Sequence, residues 1–270
     1  MNRPKSDVGT RRARFAQLHA SGSFVMPNAW DIGSALIIES LGFEAVATTS
    51  SGLAASLGRN DQQVSLDELV RHVADLSAVL EIPVSVDSEA GFSEDSDGLA
   101  STVERLAAAG ASGVSIEDFV PGRGILAVEE ASDRVGRYAS AGAAAGVTVT
   151  ARAENHLYGA GDLEDTIGRL RSYHRAGADV LYAPGLIDLD DMARLVSELE
   201  GPVNVLLLAG GPTVAEMSRV GVRRFSTGGS LAFAAYGALA AGARELLDTG
   251  SSDYARAALT REDRSAAFGE

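Results

Sequence analysis

The chain has 270 residues, of which 46% are hydrophobic and 22% charged, the balance of an ordinary globular protein. Its 37 acidic and 23 basic residues give a formal net charge of −14, which repels nucleic acid and anionic membrane surfaces. We therefore expect neither as a partner. No apolar stretch is long enough for a membrane span or a secretory signal, so we expect a cytoplasmic protein.

Two residue types are missing or nearly so, and their absence restricts the chemistry. The sequence has no cysteine, which excludes disulfides, thiolate metal ligands and a cysteine acid or nucleophile. Its single lysine is Lys5, in the polar N-terminal segment. Because a Schiff base needs a buried amine with a lowered pKa, a lysine-dependent aldolase is not expected.

The chain alternates between two kinds of segment, with a glycine or proline at each joint. Seven times, a helical apolar pattern ends in glycine or proline and a short β-branched run follows, as expected where a helix stops and a strand starts. With one earlier strand, the predicted strands lie at about 24–28, 43–48, 84–88, 113–117, 147–151, 179–183, 203–207 and 222–226. The clearest predicted helices lie at about 65–80, 97–109, 130–145, 162–176, 188–199, 213–220 and 229–248.

Eight strands that alternate with helices predict parallel pairing and a single (β/α)8 barrel domain over 1–270. Within it, 1–14 is a polar N-terminal segment and 250–270 a polar C-terminal tail. The rival fold is an open doubly wound sheet, in which the turn after the first strand is usually glycine-rich. Here that turn, 27–31, contains no glycine. The helix at 228–248 is apolar on nearly all sides, which predicts a homodimer or homotetramer that covers it.

Carboxylates follow the third and fourth predicted strands, and the C-terminal ends of barrel strands meet at one rim. Asp87 and Glu89 are two residues apart, so on a strand they share a face, and Glu117 stands on the next strand. Unpaired carboxylates packed closely would repel and have raised pKa values, which a divalent cation relieves. Oxygen ligands without histidine or cysteine favour Mg²⁺ or Mn²⁺ over Zn²⁺. The alternative is that each carboxylate caps the following helix.

Arg152 follows the fifth predicted strand and is the single arginine among these carboxylates. Its fork of N–H donors suits the carboxylate of a substrate, although a structural ion pair with Glu154 or Glu117 is the alternative. After the second strand, Gly52 allows backbone N–H groups beside Ser51 to approach an anionic oxygen; otherwise the two residues form only a turn.

Five segments in this order carry a family resemblance: 27–31, 50–54, 86–92, 116–118 and 151–154. Together they resemble the isocitrate lyase / phosphoenolpyruvate mutase superfamily, over about residues 15–248. The resemblance implies a Mg²⁺-dependent (β/α)8 barrel that acts on 2-oxo acids or their enol forms and makes or breaks C–C or P–C bonds beside an enolate. It also implies that the last helices are exchanged between subunits.

The resemblance also implies roles for individual residues. The implied metal ligands are Asp87 directly and, largely through water, Asp61, Glu89 and Glu117. The implied catalytic residues are Arg152, which grips the substrate carboxylate, and Ser51 and Gly52, which bind the carboxylate and enolate oxygens. The residues expected to contact the substrate are Ser51, Gly52, Leu53, Asp87, Arg152, Asn155 and Asn204.

The stretch 119–126 after the fourth strand departs from the family pattern. It lacks the Lys-Cys-Gly-His loop of the true lyases and is short beside the gating loop of the mutases. We therefore expect Mg²⁺-dependent cleavage of a small 2-oxo dicarboxylic acid, with decarboxylation of oxaloacetate to pyruvate as the best single expectation. The alternatives are a metal-dependent retro-aldol lyase, a P–C bond mutase or hydrolase of the superfamily, and a non-catalytic barrel that binds an oxo acid.

Overall fold

A barrel of parallel strands surrounded by helices makes up most of the protein. The computed structural model describes residues 6–93 and 95–269, so Lys5 lies outside the described residues. The strands of the barrel are β1 (Phe24–Met26), β2 (Asn28–Ala29), β3 (Val46–Thr48), β4 (Val84–Asp87), β5 (Gly113–Glu117), β8 (Thr148–Arg152), β9 (Val180–Tyr182), β10 (Val203–Leu206) and β11 (Arg224–Ser226). The remaining two, β6 (Phe119–Val120) and β7 (Gly124–Ile125), form a separate antiparallel hairpin.

The segment 24–29 closes the barrel. β1 pairs with β11, and β2 pairs with β3, so the two pieces join the last strand to the second. Between them stands Pro27, which has no N–H to donate but whose carbonyl accepts from the Ala47 amide at 2.9 Å. Counted as one strand, β1 and β2 complete the eight predicted strands. The predicted (β/α)8 barrel is therefore confirmed, and the open sheet is wrong.

Helices follow the strands as the sequence predicts. The helices are α1 (Val8–Ala20), α2 (Ile32–Ser40), α3 (Ser50–Ser56), α4 (Leu66–Val79), α5 (Ser96–Ala108), α6 (Val128–Ala145), α7 (Leu163–Arg175), α8 (Leu189–Glu198), α9 (Val214–Arg219), α10 (Ser230–Thr249) and α11 (Arg261–Phe268). All seven helices predicted from the sequence are present. The main hydrophobic core lies between the strands and these helices.

Helix α1 closes the N-terminal end of the barrel and begins inside the predicted polar segment 1–14. Phe15 and His19 are buried and pack edge-on against each other and against Phe24. Arg12 donates to the carbonyls of Ala107, Ala111 and Ala145, at or just beyond the ends of α5 and α6. Arg12 thus binds the negative ends of two neighbouring helices, where its charge complements the helix dipoles.

Helix α10 is far more exposed than the other long helices. Of its 20 residues, only Ala232 and Gly242 are buried. Its exposed apolar side chains are Leu231, Phe233, Leu239, Leu246 and Leu247. The described part of the predicted tail, residues 250–269, turns back along α10 through a short 3₁₀ helix, Asp253–Ala257, and α11 then packs against α2. Among the described residues, no helix has the length and apolar character that crossing a membrane requires.

Candidate active site

A cavity of about 160 Å³ opens among the C-terminal ends of the barrel strands and reaches down into the barrel. The interior of such barrels is usually filled by bulky branched side chains, whereas here small polar side chains leave space. Those that line the cavity include Thr48, Ser85, Ser115, Thr150 and Ser226. Of the residues predicted to act, the ones that line it are Ser51, Asp61, Asp87, Arg152 and Asn204.

Arg152 lies at the centre of the predicted carboxylate cluster. Its Nη1 is 2.8 Å from Asp87 Oδ1, its Nη2 is 3.1 Å from Glu117 Oε2, and its Nε is 2.8 Å from Glu154 Oε1. The guanidinium also lies over the ring of Tyr182, 5.3 Å from the ring centroid. The ion pairs that the sequence offered as the alternative for Arg152 are therefore present, and the arginine still faces the cavity.

Neighbouring groups hold the carboxylates of this cluster in place. Asp87 Oδ2 accepts from the Ser50 amide at 3.2 Å, at the start of α3. Glu117 Oε1 accepts from Gln62 Nε2 at 3.1 Å. The Glu154 amide donates to Asp118 Oδ1 at 2.8 Å, which ties the backbone after β8 to the strand end beside it.

Asp118 acts as a structural anchor below the rim. Its side chain is buried, accepts from Tyr173 at 2.6 Å, and pairs with Arg169 at 3.1 Å. Because Asp118 binds groups of α7 and the Glu154 amide together, it fixes where the backbone leaves β8. This residue supports the site without facing the cavity.

Burial raises the pKa of several carboxyls at the rim. Burial, with the charges of Asp87 and Asp61, raises the pKa of Glu89 to about 8. Burial also raises the pKa of Glu117 well above its usual range, although Arg152 opposes that shift. For Glu89 and Glu117, loss of hydration is the largest cause of the raised pKa, and repulsion between carboxylates is a smaller one.

The position of Glu89 corrects one step of the sequence argument. β4 ends at Asp87, and Glu89 has φ of 47°, in the left-handed region that residues other than glycine seldom adopt. The two carboxylates therefore do not share a strand face. They come near each other because the chain turns after Asp87, where the Glu89 carbonyl accepts from the Glu117 amide at 3.0 Å.

The chemistry of the carboxylates fits a hard divalent cation. Asp61, Asp87 and Glu89 offer oxygen atoms only, which is the donor set that Mg²⁺ and Mn²⁺ prefer. Among the described residues, however, no three acidic or histidine side chains lie close enough to hold an ion between them. A cation at Asp87 would need waters for most of its shell and would take Asp87 from Arg152.

Three residues expected to contact the substrate lie outside the cavity wall. Gly52 is buried, its amide points to Thr49 Oγ1 at 3.4 Å, and a Cβ there would clash with Trp30, so packing requires this glycine. Leu53 is part of the hydrophobic core. Asn155 is fully buried and donates to Asp165 and Thr166 of α7, each at 2.9 Å.

Two large side chains of the cavity, Tyr182 and Arg224, were not predicted from the sequence. Both stand on strands and face the cavity. The available signal for Arg224 was an arginine within a predicted strand, because period-two alternation places it on the same face as Ser226. Tyr182 at the end of its strand gave no such signal.

The β6–β7 hairpin follows β5, in the stretch 119–126 that lacks the Lys-Cys-Gly-His loop of the true lyases. Phe119 of the hairpin stacks on Tyr158 from the loop after β8, with ring centroids 4.2 Å apart and planes within 5°. The hairpin is thereby joined to the neighbouring loop by an aromatic contact.

Residues 15–247 match the family described as phosphoenolpyruvate phosphomutase. The chain belongs to the phosphoenolpyruvate phosphomutase family. The predicted superfamily is thereby confirmed, and because it consists of lyases and mutases, it supports an enzyme that acts on C–C or P–C bonds.

Individual relatives span most of the chain. A crystal structure of a protein from Burkholderia cenocepacia J2315, described as a lyase/mutase, has 40% sequence identity, covers 98% of each chain and superposes with a TM-score of 0.92. An uncharacterised protein of Mycobacterium tuberculosis strain H37Rv is 36% identical over 225 residues, 79% of this chain and 81% of its own. An oxaloacetate decarboxylase of Pseudomonas putida strain GB-1 is 27% identical over 245 residues, 86% and 83% of the two chains.

Proposed function

We propose that this member of the phosphoenolpyruvate phosphomutase family cleaves a C–C bond of a small 2-oxo dicarboxylic acid, with Mg²⁺ or Mn²⁺ at Asp87. Oxaloacetate, converted to pyruvate and CO₂, is the substrate that we favour. The observation that carries the proposal is Arg152, a cation that faces the cavity among three carboxylates. The substrate's negative charge must be bound locally, because the protein as a whole carries −14.

Arg152 can bind a substrate carboxylate by exchanging one partner for another. Its bond to Asp87 is the one at the cavity, where both side chains are 16% exposed, whereas Glu117 and Glu154 are almost fully buried. If Asp87 held a divalent cation instead, Nη1 would be free for the substrate. Glu117 and Glu154 then hold the guanidinium in its plane, over Tyr182.

The proposed reaction requires little acid–base catalysis by the protein. A bound divalent cation would supply Lewis-acid polarisation of the 2-oxo carbonyl. The C3–C4 bond breaks, its electron pair moves to the C2 oxygen as an enolate, and C4 leaves as CO₂. A proton from solvent at C3 then gives pyruvate. The absence of cysteine and of the lyase loop suits this reaction, because it needs no positioned acid.

The similarity to the Pseudomonas putida oxaloacetate decarboxylase supports the same substrate class. Two other reactions of the superfamily are alternatives: retro-aldol cleavage of a longer 2-oxo acid, and P–C bond rearrangement or hydrolysis. A set of 2-oxo acids tested for pyruvate release separates the first from decarboxylation. A barrel that only binds an oxo acid would show cation-dependent binding without turnover.

We also propose that the protein acts as a homodimer or homotetramer in the cytoplasm. The support for assembly is α10, whose apolar side chains Leu239 and Leu247 are 68% and 86% exposed in the single chain. A second subunit that covers this helix, by exchange of the C-terminal helices or by packing, would remove that surface from water.

The deciding experiment measures pyruvate formation from oxaloacetate with Mg²⁺, corrected for the uncatalysed reaction with Mg²⁺ alone. We expect activity in the wild type and in Arg105→Ala, a control that breaks a surface ion pair with Asp67. We expect Arg152→Ala to lose most of it. If the wild type adds nothing to the background while it still binds oxalate, the decarboxylase proposal fails and a different substrate or a binding function replaces it.

A further inference from the structure

A second arginine of the cavity, Arg224, is buried and forms the cavity floor. It stands at the start of β11, is 3% exposed, and lines the same cavity as Arg152. Its Nε donates to Asn204 Oδ1 at 2.8 Å, and its Nη2 donates to Thr150 Oγ1 at 3.0 Å. Its Nη1 lies 3.1 Å from His19 Nε2, on the helix that closes the barrel.

All partners of Arg224 are neutral. His19 Nδ1 lies 2.8 Å from the Phe15 carbonyl, so this nitrogen carries the proton and Nε2 accepts from the arginine. Burial, with the nearby Arg224 charge, lowers the pKa of His19 to about 3, so the ring is neutral. Among the described residues, no carboxylate lies within 4.0 Å of the Arg224 guanidinium, whereas Arg152 has three.

The charge at the floor is therefore not compensated by the protein. Burial lowers the pKa of Arg224 to about 9, opposed only by the neighbouring Tyr182, and the group remains cationic at neutral pH. A buried cation is costly unless an anion pairs with it. Of the five N–H groups of the guanidinium, three make the bonds given above, which leaves two for a further acceptor.

The cavity gives an anion a path to this arginine. Thr150, which binds Arg224, and Arg152 are two residues apart on β8, so they face the same side about 7 Å apart along the strand. The wall between the two levels is hydroxyl-rich, formed by Ser115, Thr150 and Ser226. Hydroxyl groups solvate an anion in transit and add no competing charge.

We propose that Arg224 is an anion-binding site at the cavity floor, one layer below Arg152, for a single small monoanion such as a halide or a carboxylate group. The anion comes from solution or is a further carboxylate of a ligand that enters from the rim. Ion pairing stabilises a carboxylate relative to neutral CO₂, so a carboxylate held here is retained through a decarboxylation. This site stands independently of the reaction at the rim.

Bromide provides the test in metal-free protein, with gluconate as the bulky reference anion at constant ionic strength. We expect bromide to raise the thermal midpoint of the wild type relative to gluconate, and Arg224→Gln to lower bromide affinity at least tenfold. The matched control is Arg223→Gln, at the residue just before β11, whose side chain instead donates to the Gly22 carbonyl. That variant should respond to bromide as the wild type does.

Two further experiments complete the test: a bromide soak of a crystal and competition between bromide and dicarboxylates. A wild-type crystal soaked in bromide should show anomalous density beside the Arg224 guanidinium, which does not depend on any variant folding. If the anion comes from solution, oxalate and longer dicarboxylates such as glutarate should leave bromide affinity unchanged. If it is a ligand's carboxylate, glutarate should compete with bromide while oxalate, too short to span both levels, should not. Bromide that stabilises no more than gluconate, or no anomalous density at Arg224, would overturn the proposal.

Discussion

Replacing His19 by glutamine tests how α1 closes the barrel beneath Arg224. The imidazole packs edge-on against Phe15 and Phe24, with ring centroids 4.7 and 5.1 Å away, and accepts from Arg224. Protonation at Nε2 would remove the acceptor and place two cations face to face. Glutamine is neutral at every pH and retains an acceptor, so His19→Gln removes the titration while it costs some packing at all pH values.

The magnitude follows from the two pKa values of His19, about 3 when folded and 6.5 as the reference for the unfolded chain. Because the folded value is lower, the folded state binds fewer protons between these values. Its contribution to stability is complete above pH 6.5 and is lost as the pH falls toward 3. One pH unit is worth about 1.4 kcal/mol, so lowering the pH from 7.5 to 5 should cost the wild type about 2 kcal/mol through His19.

The assay is urea unfolding of the metal-free wild type and of His19→Gln at pH 7.5, 6.5 and 5. Other groups titrate in both proteins, so the measured quantity is the difference between their pH dependences, expected to be about 2 kcal/mol. The control His156→Gln removes a histidine at the opposite end of the barrel and tests whether losing any histidine has this effect. A difference below about 0.5 kcal/mol for His19→Gln would show that the folded protein accommodates the charged ring.

Three other predictions concern the rim and the assembly. Asp87→Ala should abolish Mg²⁺ binding by calorimetry while the circular dichroism spectrum is retained; wild-type affinity would mean that another residue holds the cation. Arg152→Ala should raise the Kd of oxalate about ten- to hundredfold, since a hydrogen bond to a charged group is worth about 1.5–3 kcal/mol; an unchanged Kd would make the arginine purely structural. Light scattering should give a dimer or tetramer for the wild type and a smaller mass for Leu239→Glu, whereas a monomeric wild type would contradict the predicted assembly.

The elements of the barrel could be predicted because their signals are local. Gly110, Gly146 and Gly177 each adopt positive φ at the end of a helix, and each is followed by a buried strand. Such a joint depends on one residue's conformational freedom and the hydrophobicity of its neighbours. The meeting of Asp87, Glu117 and Arg152 followed as soon as the fold was assigned, because parallel strands bring their C-terminal ends to one rim.

Local signals in the sequence do not show whether Gly52 and Asn155 contact the substrate. Both residues stand beside the site in the sequence, yet the Gly52 amide points to Thr49 and the Asn155 amide to α7. Which way a side chain or amide turns after a strand depends on the helix that packs over it. Proximity along the chain therefore placed them near the rim without showing that they face it.

The sequence alone determined the strand and helix alternation and the carboxylate-rich rim, since both follow from spacing along the chain. Only the tertiary structure decided that Arg152 binds three carboxylates and that, among the described residues, Arg224 binds none. Both are arginines on barrel strands, and the sequence suggested Glu154 and Glu117 as partners of Arg152 but no partner for Arg224. The difference is depth: Arg152 lies at the rim, where the ends of neighbouring strands bring Asp87 and Glu117 to it, whereas Arg224 lies where α1 closes the barrel with aromatic rings. A charge's surroundings are set by residues distant in sequence, and so by packing.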